Sequence, residues 1–386
     1  MRKVKIGIVG FGGMGAGHAH TIANKVPTLE VTAICDIDPA KLEKAKSLYP
    51  DVPVFADAEE LFASDVDMVI LSVPHPMHAT LAIRAFEMGK HVLTEKPMDI
   101  ALSRGRAMAK AAQESGKLFG IMFNQRTGGL FQKAKQIVES GALGQLKRSV
   151  WIITNWYRTQ AYYDSGAWRA TWKGEGGGVL MNQCPHQLDL WQWICGMPVS
   201  VTAFCEEAKY HNIEVEDNAT IFAKFENGAD GVFITTTGEY PGTNRLEISG
   251  SLGKLVLENG SLKWWRLERD EREVCFDPMA ESPKIPFVVE EFTQEKINGH
   301  QAILQNFTNA LRFGEELIAP GYDGLHQLAL QNAAYLSAWT GKTVQLPFDE
   351  AQYDALLAQR QEGSVTRSGG GSHANREYSD RWQIKW

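Results

Sequence analysis

Between residues 176 and 193 the chain reads GGGVLMNQCPHQLDLWQW, a run that brings an amide, an imidazole and a carboxylate into one short segment. Asn182, His186 and Asp189 stand at i, i+4 and i+7, the spacing that lines side chains along one face of a helix beginning near Asn182. An imidazole with an unperturbed pKa of about 6.5 is suited to take a proton from a hydroxyl group near neutrality. Pro185 fits the first turn of such a helix, and Leu188, Leu190, Trp191, Trp193 and Ile194 supply the apolar side that anchors it. His186 and Cys184 are two potential metal ligands without a matching pair elsewhere, so no metal site is expected.

A second group of chemically apt residues begins the chain. KVKIGIVGFGGMGAGHAHTIA reads as a short apolar strand, a turn and a helix. Gly10, Gly12 and Gly15 fall in the G-x-G-x-x-G spacing, and Phe11, Gly13 and Met14 complete the turn. The first glycine allows the tight turn, the second admits a pyrophosphate to the backbone, and the third allows close packing of helix on strand. The next strand, LEVTAICDIDP, ends at Asp36 and Ile37, where a carboxylate accepts hydrogen bonds from ribose hydroxyls and repels a 2′-phosphate. NAD is therefore expected over NADP, with Lys41 nearby as a softening influence; Asp38 is the better helix cap. The glycines at 176–178 would let the backbone pass close to a bulky group, such as a sugar or the nicotinamide ring.

Strands then alternate with helices through VDMVILSVPHPMHATLAIRAFEMGKHVLTEKPMDIAL, with strands at 68–73 and 91–94. Such alternation implies right-handed crossovers and a parallel sheet, with ligands bound at the carboxyl ends of its strands. Ser72, Pro74, His75, His78, Glu95 and Lys96 all fall at those ends, and Asn124 follows at the crossing into a second domain.

A chain of 386 residues exceeds one ordinary core and is expected to form two domains with a cleft between them. The boundaries expected are 1–122 for cofactor, 123–360 for substrate and assembly, and 361–386 for a Gly/Ser-rich linker with an aromatic end. The net charge of −7 comes from interspersed charges, which argues against nucleic acid as a partner. The basic, apolar start is broken by glycines too early for a signal peptide or a membrane span, and it reads as a strand. Five widely spaced cysteines without a C-x-x-C pair suit the cytoplasm better than a disulfide framework.

The segment from Phe123 to Trp172 contains an aromatic loop that also carries cations. Sugars offer hydroxyls to planar polar groups and C–H faces to rings, so Asn124, Arg126, Trp156, Tyr157, Arg158, Trp168, Arg169 and Lys173 are candidate contacts. Later segments (201–210, 217–237, 244–259 and 261–269) read as strands of an antiparallel sheet whose second face could pair with another subunit, or whose long edge strand could equally be capped by a loop. HQAILQNFTNALRFG and DGLHQLALQNAAYLSAWTGK read as helices, leaving His300 and His326 structural or exposed. Trp382 and Trp386 are expected to dock the tail on its own or a neighbouring subunit.

Taken in order, GFGGMG, SVPHPMH, TEKP, GGGVLMNQCPHQLD and GSLGKLVLENG resemble the Gfo/Idh/MocA oxidoreductases, the glucose-fructose oxidoreductase and inositol dehydrogenase family. The resemblance spans residues 4 to 347. It implies an α/β fold: an amino-terminal Rossmann domain, then a carboxyl-terminal α/β domain with a large, mainly antiparallel open sheet that commonly joins dimers or tetramers. It also implies oxidation or reduction of sugars, inositols or related polyols with a nicotinamide cofactor. Carried onto this chain, Lys96 lies beside nicotinamide and substrate, Glu95 contacts the cofactor ribose, and His186 is the candidate base. The commoner family pattern places an aspartate where this chain has Asn182, while some branches of the family carry asparagine there; an asparagine takes no proton, so a relay through that position would fall to His186 and Lys96.

The function expected is NAD-dependent oxidation, or the reverse reduction, of a secondary hydroxyl of a sugar, a glycoside at C3, or a cyclitol. His186 would take the proton and Lys96 polarise the oxygen, with Asn182 and Asp189 on the substrate. Two alternatives stand beside it: a lyase or glycosidase with tightly bound, recycled NAD, and a non-catalytic NAD-binding sensor.

Overall fold

The computed structural model describes residues 2–280, 284–294 and 298–364. The expected docking of Trp382 and Trp386 lies outside the described residues.

Six short apolar runs make the first sheet: β1 (Val4–Val9), β2 (Leu29–Cys35), β3 (Val54–Phe55), β4 (Met68–Leu71), β5 (His91–Thr94) and β6 (Phe119–Ile121). All are parallel, in the order β3-β2-β1-β4-β5-β6. Strand order reverses between β1 and β4, and the crevice beyond their carboxyl ends is where such sheets take dinucleotides. β4 stops at Leu71, two residues earlier than expected, so Ser72 and Val73 already belong to the loop.

The second sheet, among the described residues, contains β7 (Leu146–Ile153), β8 (Ser200–Glu207), β9 (Glu216–Lys224), β10 (Asp230–Thr236), β11 (Asn244–Gly250), β12 (Gly253–Glu258), β13 (Ser261–Leu267), β14 (Phe287–Thr293) and β15 (Val344–Gln345). Their order is β14-β13-β12-β11-β7-β10-β9-β8-β15, antiparallel except for β7 beside β10. Sequence reading missed β14, whose residues are mostly exposed and show little contrast between faces. It also missed the Glu350–Glu362 helix, which runs past the expected start of the linker at residue 361.

One face of this sheet is covered by the Pro185–Cys195 and Gly324–Thr340 helices. Trp191 of the first lies on Phe233 at 5.5 Å between ring centres, and its indole N–H donates to Ser149 at 2.8 Å. Ser337 of the second accepts from the Ala203 amide at 3.0 Å. The Gly299–Phe313 helix behaves differently: Ile303, Leu304 and Phe307 are buried in the apolar core of the first sheet, together with Ala319 and Leu328. The chain thus returns to the first core after completing most of the second sheet.

The glycines at 176–178 are required by the protein itself rather than by a passing ligand, which corrects the expectation. A Cβ on Gly176 would lie 2.3 Å from Ile100 Cγ2, one on Gly177 would lie 2.2 Å from the Tyr335 hydroxyl, and one on Gly178 would lie 1.9 Å from the Glu216 carbonyl oxygen. Gly176 and Gly177 also have positive φ, at 82° and 155°. Backbone obstructs Gly178, so relief requires a shift of β9. We expect Gly178→Ala to lower stability by about 3 kcal/mol, seen as a lower urea midpoint at unchanged slope. Gly17→Ala, on a helix position with open space around it, should leave the midpoint unchanged or raise it.

Candidate functional site

The glycine turn closes over β1 as its spacing suggests. Gly10 has φ 89°, and a Cβ there would strike the Ser72 carbonyl oxygen at 2.5 Å; a Cβ on Gly15 would lie 1.9 Å from the Gly10 carbonyl. A Cβ on Gly12 would meet open space, the room that a pyrophosphate needs. Asp36 is buried at the end of β2; its Oδ2 accepts the Phe11 amide at 2.7 Å and its Oδ1 accepts the Asp38 amide at 2.9 Å. A carboxylate has about four lone-pair sites, so two remain for ribose hydroxyls. Lys41 Nζ stands 3.6 Å from Asp36, and Asp38 caps the next helix through the Ala40 amide. Ile37 is 89% exposed and brings no polar side chain to this corner.

The residues past β4, β5 and β6 converge. His75 and His78 are buried with ring centres 6.0 Å apart. His75 Nδ1 meets the Glu175 carbonyl at 3.0 Å, and His78 meets the carbonyls of Pro97 and Val73 at 2.8 and 3.0 Å. Burial lowers both imidazoles, His75 well below the ordinary range. Lys96 is buried, and its Nζ donates to the Asn182 carbonyl at 2.9 Å, so the end of β5 touches the segment before the Pro185–Cys195 helix. Burial pushes the Lys96 ammonium down; Glu95 and Glu175 oppose that, and Arg169 and Arg158 add to it.

His186 occupies the first turn of the helix, which starts at Pro185 rather than near Asn182. Residues 179–183 form a wider π-helical turn, and Asn182 caps nothing; its amide instead donates to the Glu175 carboxylate and, at 3.4 Å, to the Tyr162 hydroxyl. The three-residue stripe inferred from a single helix is therefore broken at its first member. Burial lowers His186 well below the ordinary value, with Lys96 and His300 in the same direction and Glu95 against. Its Nδ1 is buried without a protein partner, as are Ser72 Oγ and one acceptor of Asn124, Oδ1. Three unanswered polar atoms around the expected nicotinamide position, with the open space at Gly12, are what a cofactor and substrate would complete. The residues fit the group.

Arg126 and Asp189 are engaged with each other. Two guanidinium nitrogens donate to the Asp189 carboxylate at 2.6 and 2.7 Å, a third donates to Asp323 at 2.5 Å, and both Arg126 and Asp189 are 1% exposed. This closed pair supports the frame under His186. The aromatic loop is as rich as expected: Arg158 lies over Trp156 and Tyr162, and Arg169 over Trp168 and Tyr162, at 4.6–5.5 Å. Trp168 also meets His75 edge-on at 5.9 Å. Tyr157 is half-exposed and pairs with Tyr240, whereas Lys173 is exposed and meets Ser364 through its backbone amide.

Several residues were not foreseen. His18, on the Gly13–Lys25 helix, lies with Nε2 2.7 Å from Glu95 Oε1, both groups buried. Burial would raise the Glu95 carboxyl, yet the His18 hydrogen bond, with Lys96 also nearby, holds it down at about 2. His300 was expected to be structural or exposed; it sits 5.6 Å from His18 between ring centres, contacts Asn124 at 3.3 Å and is pushed down to about 4 by burial. His18 was legible as the residue one turn after Gly15; His300 was not, because nothing local ties its helix to the first sheet. Among the described residues, no group of three or more His, Cys, Asp or Glu is placed to hold a metal ion.

The buried pair offers a direct test. Arg126→Ala should destabilise the protein by about 3–5 kcal/mol in urea unfolding, because it takes the cation away from the fully buried Asp189 carboxyl. Replacing both partners, Arg126→Met with Asp189→Leu, should recover most of that loss.

Residues 4–123 match the oxidoreductase family with an NAD-binding Rossmann fold, and residues 131–256 match the GFO/IDH/MocA C-terminal domain. The WlbA dehydrogenase of Chromobacterium violaceum, solved with NADH and UDP-GlcNAcA, is 30% identical over 90% of this chain and 97% of its own, with a TM-score of 0.79. The Bordetella pertussis WlbA dehydrogenase is 29% identical over 90% of this chain and 99% of its own, with a TM-score of 0.78. Inositol 2-dehydrogenase of Rhizobium meliloti (strain 1021) is 25% identical, covering 86% of this chain and 96% of the relative. On the glycine turn, the Glu95-Lys96-Pro97 corner, His186 and these matches together, the chain belongs to the Gfo/Idh/MocA family and is an NAD(P)-dependent oxidoreductase.

Proposed function

We propose that this protein is an NAD-dependent dehydrogenase that oxidises, or reversibly reduces, a secondary hydroxyl of a sugar, a glycoside or a cyclitol, with C3 of a glycoside as the preferred position. The observation that carries it is the meeting of Lys96 with the His186 segment, through the Lys96 to Asn182 hydrogen bond, beside unanswered polar atoms. NAD, when bound, supplies the hydride acceptor. The residues proposed to hold it are Gly10 to Gly15 and Asp36, with Ser72, Pro74, His75, His78, Glu95, Lys96 and Asn124 toward the nicotinamide end.

In the oxidative direction His186 accepts the hydroxyl proton while Lys96 donates a hydrogen bond to the same oxygen. A neutral imidazole is required at the start, and burial beside a cation favours that form. The ammonium stabilises negative charge as it develops on oxygen, in a site from which water is largely excluded. Trp156, Arg158 and Trp168 present faces and donors suited to a sugar ring, and Tyr157 extends that surface outward. The names of the relatives support this substrate class, since they include a UDP-sugar acid complex and an inositol dehydrogenase.

The exposed side of the second sheet carries Phe204 and Phe222, 69% and 40% exposed on neighbouring strands, which supports a homo-oligomer closed by this face. Sedimentation should then show a dimer or larger; only monomer at micromolar concentration would remove the proposal. The five free cysteines support a cytoplasmic setting, and no helix among the described residues is long and apolar enough to cross a membrane.

The decisive measurement follows NADH absorbance with glycosides, free sugars, sugar acids and inositols. Lys96→Met and His186→Asn should each lower turnover by at least about 100-fold while NAD binding persists. Because His186 lies below its ordinary value in the folded protein, the acid limb of kcat/KM should fall below pH 6.5. NAD binding without any net NADH formation would favour recycled-cofactor chemistry, and turnover unaffected by both substitutions would sink the assignment.

A further inference from the structure

This chain has an amide at position 182, where the commoner family pattern has a carboxylate, and a buried carboxylate touches that amide. Glu175, wedged between glycines in GEGGG, is 2% exposed. Its Oε2 accepts the Ala170 amide at 2.6 Å, and its Oε1 accepts the Asn182 side-chain amide. Both oxygens are acceptors, the arrangement that an ionised carboxylate satisfies. Its main chain is pinned as well, the carbonyl by His75 at 3.0 Å and the amide by Thr171 at 2.9 Å. Asn182 is thereby held twice, at its carbonyl by Lys96 and at its amide by Glu175.

We propose that Glu175 is a positioning residue that does part of the work of a carboxylate at position 182: it orients the Asn182 amide and adds to Glu95 a second negative charge that keeps Lys96 an ammonium beside the reacting hydroxyl. The proposal rests on the assignment of Lys96 to the substrate oxygen. Of the two carboxylates whose charge reaches Lys96, Glu95 acts more strongly and is shared with His18 at 2.7 Å, and Glu175 acts beside it. The remaining charged or titratable groups coupled to Lys96 are Arg158, Arg169, His75, His78, His186, His300 and Cys184. None of these carries a negative charge that favours the ammonium at neutral pH; the cations oppose it, and burial pushes the Cys184 thiol up to about 12. Burial also drives Lys96 toward the neutral amine and Glu175 toward the neutral acid, and each charge sustains the other against that tendency. An amide at 182 orients a substrate group without contributing charge, so the two functions of one aspartate are divided between two residues.

The experiment reads the titration of Lys96 in the full-length protein, labelled with [13Cε]lysine and assigned by the resonance lost in Lys96→Met. Glu175→Gln keeps an acceptor for Ala170 but removes the charge, and should lower the Lys96 midpoint by about one pH unit. Glu175→Asp should stay closer to the native midpoint, and Glu175→Gln combined with Asn182→Asp should restore it. Asn182→Asp alone, which leaves Glu175 in place, should raise it. An unchanged midpoint in Glu175→Gln, or one that the double variant leaves lowered, overturns the proposal; should Glu175→Gln not fold, an unchanged midpoint in Asn182→Asp does so. In turnover, Glu175→Gln should reduce kcat more than it raises KM, and move the alkaline limb to lower pH. The titration needs no substrate, so a failure to form NADH with any polyol would sink the dehydrogenase assignment without deciding this one.

Discussion

The site depends on one close passage of backbone. At Gly176 to Gly178 the chain threads between Ile100, the Tyr335 hydroxyl and the backbone of β9, with no room for a single Cβ. Glu216, fully buried at the start of β9, fastens the passage by accepting the amides of Gly178 and Leu180 at 2.9 Å and the Tyr335 hydroxyl at 2.8 Å. Held there, the following π-helical turn directs the Asn182 carbonyl at Lys96 and delivers His186 on the first turn of a helix. A displacement of one side-chain width would separate the end of β5 from that helix, and electrostatic catalysis is sensitive to separations of that size.

Electrostatics around this passage follow from burial. Lys96, Glu95, Glu175, His75, His78 and His186 all lie in low-dielectric surroundings, where each ionised group needs an immediate partner. Glu95 has His18, Arg126 has Asp189 and Asp323, and Asn182 joins Lys96 to Glu175. Burial moves the imidazoles of His75, His78, His186 and His300 toward the neutral form. A cluster of neutral bases around the Lys96 ammonium results, with Arg158 and Arg169 nearby and negative charge supplied by Glu95 and Glu175.

Much of this was legible in the sequence wherever local pattern and chemistry coincide. Gly10, Gly12, Gly15 and Asp36 lie close in sequence and act through turn geometry, so their spacing sufficed. Lys96 and His186 emerged from motif order. What escaped was set by contacts remote in sequence. The ligation of Arg126 by Asp189 cannot be read from either segment, since an arginine at the crossing between the two sheets looks equally ready for a sugar. The glycines at 176–178 looked like accommodation for a ligand because the sequence does not reveal that Ile100, Tyr335 and Glu216 press upon them. Glu175 drew no notice for a similar reason: an acidic residue among glycines looks solvated until the fold encloses it.

The return of the Gly299–Phe313 helix to the first sheet has a mechanical consequence. Phe307 lies against β6, where a Cβ on Gly120 would come within 2.9 Å of its ring, and Ile303 and Leu304 are buried in the same core. The connection between the two sheets is therefore not a single tether but a set of strands of chain crossing in both directions. Any movement of one sheet against the other must bend the chain at each crossing together, which favours small, concerted excursions over wide swinging. A cut at the first crossing would strip the nucleotide-binding half of part of its own interior, so the two halves are interlocked rather than strung in series.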